Sequence, residues 1–167
     1  LDVFWRDNKS IKNFDYWISY SFLKTERDYL NYPEAAEPNY TNTNNLSVVG
    51  KYWIDNWKSQ LGITYAFATG RTYTDPNLVG FLNQKTKNYH NVSMNWAYLI
   101  TQQKILYLSV NNVLGTQNIN GYQYTNTPDS NGYYASRALR PAADSFFFIG
   151  FFWTISEKGT DNQLDNL

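Results

Sequence analysis

Residues 146–155 read FFFIGFFWTI. This uncharged run is too short for a membrane helix, but its length matches the ~9–11 residues of a tilted transmembrane β-strand. Both of its faces are apolar or aromatic, so a strand buried on two sides of a soluble sheet is the competing interpretation. The rest of the chain decides between the two.

Of the 167 residues 43% are hydrophobic and 19% aromatic, yet mean hydropathy is −0.56, so apolar side chains are diluted by polar ones rather than clustered. Period-2 alternation produces that combination. Tyrosine, at 15 residues, leads the aromatics, and Tyr and Trp favour a surface that is apolar on one side and wet on the other. Fourteen basic and 14 acidic residues cancel, and no nucleic-acid partner is expected. With no cysteine there is no disulfide framework and no thiolate metal site. No stretch approaches the ~18 apolar residues of a membrane helix. The start at Leu1, without Met or a signal-like segment, suggests a mature segment or an internal fragment.

Seven strands are expected, over 1–6, 13–27, 46–54, 59–73, 89–99, 105–114 and 146–155, and no helix. Phe14, Tyr16, Ile18, Tyr20 and Phe22 alternate with Asp15, Trp17, Ser19 and Ser21; Leu61, Ile63, Tyr65 and Phe67 alternate with a small or polar face. Val92, Met94, Trp96 and Tyr98, then Leu106, Leu108 and Val110, repeat the pattern. Most of these segments exceed the ~5–6 residues usual in soluble sheets and suit membrane barrel strands of ~10.

The connections add an independent signal. DNKSIK after the first strand, 55–58 and 101–104 are short enough for hairpin turns, whereas 28–45, 74–88 and 115–144 are long and carry Pro33, Pro38, Pro76, Pro128 and Pro141. Short and long alternate strictly, which sends every long loop to one end of the sheet. Outer-membrane barrels have short periplasmic turns and long extracellular loops; a soluble Greek-key sandwich has no reason to sort loops by end. Trp5, Trp53, Trp57, Trp96 and Trp153 fall near strand ends, several toward the short turns, as an interfacial belt would. Bacterial single-chain barrels have even strand numbers, so seven strands suggest part of a larger barrel or one closed with another chain. The expected organisation is a partial transmembrane antiparallel β-barrel over 1–156 and a polar tail over 157–167.

Four stretches, GRTYTDPN (70–77), KTKNYHNVSMNWAYL (85–99), LYLSVNNVLGTQNINGYQY (106–124) and LRPAADSFFFIGFFWTI (139–155), in that order and spacing, resemble the C-terminal end of TonB-dependent outer-membrane receptors, particularly those of Bacteroidetes. NVLG at 112–115, followed by Gly121-Tyr122 and Arg140-Pro141-Ala142 before the aromatic strand, is the most specific element. The resemblance implies a barrel of about twenty-two strands with an N-terminal plug, in the bacterial outer membrane. It also implies TonB-energised uptake of a nutrient such as a glycan, peptide or metal chelate. Its implied partners are outer-membrane lipid, the rest of the barrel and plug, TonB through the upstream region, and a surface lipoprotein. Such receptors commonly end at the aromatic strand, whereas here a polar tail follows.

No cofactor, metal centre or catalytic constellation is expected. His90 is the only histidine, and Ser93, three positions on, falls on the opposite strand face, so a hydrogen-bonded lumen or rim histidine is expected rather than a nucleophile's base. Glu26, Asp28, Glu34 and Glu37 cluster around the first long loop without metal-site spacing. The loop aromatics Tyr29, Tyr32, Tyr40, Phe81, Tyr122, Tyr124, Tyr133 and Tyr134 suit either stacking on a ligand or packing on one another. In the last strand Phe147, Ile149, Phe151, Trp153 and Ile155 are expected to meet lipid, with Phe146, Phe148 and Phe152 inward. Gly62, Gly70 and Gly150 mark close approaches. Competing functions are a barrel-completing structural or assembly subunit, a soluble aromatic-rich β-sandwich that binds carbohydrate, and a barrel enzyme.

Overall fold

The computed structural model describes residues 1–29 and 31–155; the tail expected over 157–167 lies outside them. Eleven strands follow one another: β1 Asp2–Asp7, β2 Phe14–Phe22, β3 Asn44–Ile54, β4 Ser59–Ala68, β5 Thr72–Tyr73, β6 Gln84–Lys85, β7 Tyr89–Thr101, β8 Lys104–Asn111, β9 Gly121–Tyr124, β10 Ser136–Leu139 and β11 Phe146–Trp153. Seven of them make one antiparallel sheet in the order β1-β2-β3-β4-β7-β8-β11, a meander whose free edges are β1 and β11. These correspond to the seven segments expected from the sequence. The other four form two small hairpins, β5–β6 and β9–β10, which rise from the second and third long connections.

Local chemistry explains the tight connections. After β1, Asp7 Oδ1 accepts the Lys9 and Ser10 backbone N–H groups at 2.8 and 3.0 Å, an Asx turn that reverses the chain. Between β3 and β4 a single 3-10 turn at Asp55–Trp57 ends on Lys58 at φ 45°. A bulge between Leu99 and Thr101 precedes the reversal into β8.

Three strand limits differ from expectation by three residues or more, each for a visible reason. The second strand stops at Phe22 rather than running to 27, because a turn from Thr41 N to Pro38 O intervenes before Arg27 and Ala36 pair again as an isolated bridge. The fourth does not reach 73: its ladder ends at Ala68, and Thr72–Tyr73 pair instead with Gln84–Lys85. The sixth stops at Asn111 rather than 114, because Asn112 takes a left-handed conformation at φ 52°.

Partners across the ladders share a face, so the register sorts the whole sheet. One row runs through all seven strands as Asp7, Tyr16, Gly50, Ile63, Met94, Val110 and Phe147, and the next holds Phe14, Tyr52, Leu61, Trp96, Leu108 and Ile149. The opposite face carries Arg6, Asp15, Ser19, Ser47, Lys51, Thr64, Asn91, Ser93 and Asn95. One side is apolar almost throughout and the other largely polar. The strands are also staggered: the seven-strand row meets β1 at its last residue and β11 at its second.

The hydrophobic core is small. Among the described residues Ala97, Leu99 and Ile105 form the buried apolar cluster, with Trp53 and Tyr107 packed against them near the short turns on the polar side, and Pro38 is buried separately in the first long loop. The apolar face stays bare, with Ile63 47%, Met94 46%, Phe147 71% and Ile149 75% exposed. Leaving a large apolar side chain in water rather than burying it costs about 1.5–3 kcal/mol, so an uncovered apolar face of this extent is unfavourable in water.

Candidate functional site

Two surfaces carry functional chemistry: the apolar face and the cap made by the long loops. On the apolar face, Ile18, Val48, Ile63, Val92, Met94 and Val110 form an aliphatic middle. Toward the short turns it is bordered by aromatic groups. There Trp5 packs edge-on to Tyr16 at 5.2 Å, Phe14 stacks on Tyr16 at 5.0 Å, Trp96 stacks on Tyr98 at 5.8 Å, and Lys104 Nζ lies 4.9 Å from the Trp153 ring. Toward the loops it is bordered again. Tyr20 donates its hydroxyl to Asn44 Oδ1 at 2.7 Å, and the Tyr65 hydroxyl is hydrogen-bonded to His90 Nδ1 at 3.0 Å, with Phe67 5.1 Å from the imidazole. His90 therefore sits at the rim of the apolar face and not on the polar face; Ser93, on the other side, bonds to Asn91 and Asn111.

Phe147, Ile149, Phe151 and Trp153 pair with Val110, Leu108, Leu106 and Lys104 on the apolar side. Ile155, beyond the end of β11, is 85% exposed. On the other side Phe148 and Phe152 lie 6.1 and 6.4 Å from Tyr107, folding over Gly150, where a Cβ would stand 2.8 Å from the Phe148 ring.

The polar face is held by charge and amides. Arg6 grips Asp15 with two hydrogen bonds at 2.9 and 2.5 Å, while Arg6 and Lys51 both lie within 6 Å of the Trp17 ring. Farther along, Asn111 Oδ1 accepts from Asn91 Nδ2 at 2.7 Å and Ser93 Oγ at 3.1 Å.

In the cap the expected loop aromatics fall into two groups. Tyr29, Tyr32, Tyr40 and Phe81 come together from the first and second long loops, with Tyr32 against Phe81 at 4.7 Å, Tyr29 against Tyr32 at 5.3 Å, and the Tyr29 and Tyr40 hydroxyls hydrogen-bonded. That bond, and after it Arg27 Nη1 donating to Tyr29, lowers the Tyr29 pKa, while the same bond and burial raise that of Tyr40. The second group joins the second and third loops: Tyr122 lies 4.9 Å from Tyr73, and burial first, then hydrogen bonding to Asp75, pushes the Tyr124 phenol well above its usual range. Tyr73 was not among the expected aromatics, although it lies within the GRTYTDPN stretch. Tyr134 enters through its backbone, exchanging hydrogen bonds with the Asn77 side chain at 2.8 and 3.0 Å. Tyr133 stands 54% exposed on a turn that Asp129 Oδ1 ties.

Ion pairing and amides lock the first two loops. Lys85 Nζ donates to Glu37 Oε2 at 2.8 Å, Thr43 Oγ1 to Glu37 Oε1 at 3.0 Å, and Thr72 Oγ1 to the Glu37 carbonyl at 2.9 Å. Burial pushes the Glu37 carboxyl up, but the Lys85 and Thr43 hydrogen bonds outweigh it and hold the pKa below its ordinary value. The other loop acids do not join it, and no group of three His, Asp or Glu suited to a metal ion occurs among the described residues.

Comparison with family models, curated proteins and solved structures returns no match.

Proposed function

We propose that this chain is a stretch of wall from a TonB-dependent outer-membrane receptor, about seven C-terminal strands of a barrel of about twenty-two, which imports a nutrient. The observation that carries the membrane assignment is the apolar face: an aliphatic band between two aromatic borders, uncovered across seven strands. A bilayer offers that sequence of environments, hydrocarbon between two interfaces, whereas a soluble sandwich needs a second layer over the same surface. The stagger of β1 against β11 supports closure, because strands of a barrel tilt and slide past one another.

In this arrangement the polar face lines the lumen, the short turns face the periplasm, and the interlocked loops stand outside the cell. The receptor assignment within that class rests on the four stretches quoted above, and the substrate class, glycan, peptide or metal chelate, on the same resemblance. The free edge of β11 also suits a barrel-completing subunit, since an aromatic edge without charge needs a partner strand.

Cell fractionation with in-cell crosslinking tests the proposal. The native protein should stay with outer-membrane vesicles through carbonate washing and crosslink to TonB. Release into water without detergent overturns the membrane assignment; membrane retention with no TonB crosslink favours the assembly subunit.

A further inference from the structure

Where the polar face meets the long loops there is a cavity of about 270 Å3. Its floor is a single row across three strands, Asn45, Ala68 and Tyr89, and Ala68 recesses the middle of that row between two larger side chains. Arg71 and Lys87 line the wall above it, and no carboxylate does. Neither cation takes part in the ion pairs found among the described residues, Arg6–Asp15 and Lys85–Glu37.

The wall is fixed in place. Arg71 Nε donates to Asn42 Oδ1 at 3.1 Å, its backbone N–H to Thr86 Oγ1 at 2.9 Å, and the Thr86 N–H returns to the Arg71 carbonyl at 2.9 Å. Holding the guanidinium by its Nε edge orients it, and a planar fork so held matches the two oxygens of a phosphate or carboxylate. The Asn42 amide is engaged by Arg71 Nε and the Thr69 carbonyl, while Asn45 and Asn120 add amides that donate and accept, which suits hydroxyl groups, and Tyr89 adds an amphipathic ring.

We propose that this cavity binds a monosaccharide-sized solute bearing one oxyanion, held by Arg71 and Lys87 with its hydroxyls on the asparagine amides. The volume lies just under the ~300–1,000 Å3 of drug-sized sites, and two like charges without a counter-ion gain from an anion between them. The site uses the polar face as an open surface, in keeping with the lumen of the proposed barrel, but its geometry does not depend on which transport family the chain serves.

Calorimetric titration of the native protein in detergent at low ionic strength tests it, with glucose 6-phosphate, glucose and inorganic phosphate as probes. Glucose 6-phosphate should bind saturably, with glucose weaker by roughly tenfold or more and phosphate intermediate. Lys87→Gln should weaken glucose 6-phosphate binding roughly tenfold, and Lys9→Gln, on the short turn at the other end, should not change it. Arg71→Lys keeps a charge but loses the fork, and should fall between wild type and Lys87→Gln. Equal binding of glucose and glucose 6-phosphate, no binding of any probe, or indifference to Lys87→Gln would overturn the site. Membrane retention in the fractionation experiment is unaffected by any of these outcomes, so the two proposals fail separately.

Discussion

Asn112 Nδ2 donates to the carbonyl of Asp144 at 2.7 Å, across 32 positions of sequence, and to the carbonyl of Thr116 at 2.8 Å. Its Oδ1 accepts the Thr116 N–H at 3.1 Å, and Ser145 Oγ donates to the Asn112 carbonyl at 2.8 Å. One buried amide, 4% exposed, thus closes the base of the third long loop and delivers β11 beside β8. Asn also tolerates the left-handed backbone that ends the strand here.

Asn112→Ala should therefore destabilise the folded protein by about 1–3 kcal/mol, since it removes three side-chain hydrogen bonds, those to the Asp144 and Thr116 carbonyls and that from the Thr116 N–H. Urea titration of the native protein in lipid, followed by tryptophan fluorescence, reads this directly. The loss should exceed that for Asn131→Ala, on an exposed turn.

Gly70 supplies a second test of close packing. A Cβ there would stand 1.8 Å from the Thr86 carbonyl oxygen, so Gly70→Ala must push the second loop off the end of β4. A cost of about 1–3 kcal/mol is expected, together with loss of the Arg71 and Thr86 backbone pairing, seen as faster amide exchange at both residues. Gly121→Ala, whose Cβ would meet only Leu139 Cδ1 at 3.8 Å, should be close to neutral.

The lock between the first two loops should respond to acid. Glu37 has a folded-state pKa below its ordinary 4.5, so its contribution is fully present above that value and is lost as pH falls through the lower, folded one. Amide exchange in the 37–43 and 84–86 segments should be flat from neutral pH down to the ordinary carboxyl value of 4.5 and quicken only below it once intrinsic exchange is corrected for. Glu37→Gln should abolish the step, and its effect at neutral pH should stay within ~1 kcal/mol because Lys85 is solvent-exposed.

The two sheet faces should respond oppositely to charge. Ile63 and Thr64 are neighbours on β4 that point to opposite sides. Ile63→Lys should cost about 2–4 kcal/mol in a bilayer, the penalty for a cation near the midplane. Thr64→Lys should cost under ~1 kcal/mol, and reversal of this order would mean that the faces are exchanged.

Much of this architecture is legible in the sequence, because alternation with period 2 survives wherever a strand has one apolar and one polar side. Strands β2, β4 and β7 declare themselves this way, and the loop lengths then place both ends. The two small hairpins are not legible: Thr72–Tyr73 and Gln84–Lys85 are too short for a period, and only the approach of Gly70 to Thr86 brings them together. The loop tyrosines can be named from composition, but their partition into two groups depends on contacts such as Tyr32 with Phe81, about fifty positions apart. His90 lies at the rim of the apolar face because the β4–β7 register puts it opposite Phe67, on the same side as Tyr65. The cavity under Arg71 and Lys87 is invisible in one dimension, since its floor comes from three strands and its walls from the loops between them.

The absence of native cysteine makes the central claim directly measurable. Single cysteines at Leu61, Gly62, Ile63, Thr64 and Tyr65, introduced one at a time and placed in bilayers, can be probed with a lipid-borne quencher on a thiol-attached dye and with a water-soluble thiol reagent. Positions 61, 63 and 65 should be quenched by lipid and shielded from the water-soluble reagent, while 62 and 64 should show the reverse. Uniform reactivity with the aqueous reagent at all five positions would contradict a membrane-spanning wall.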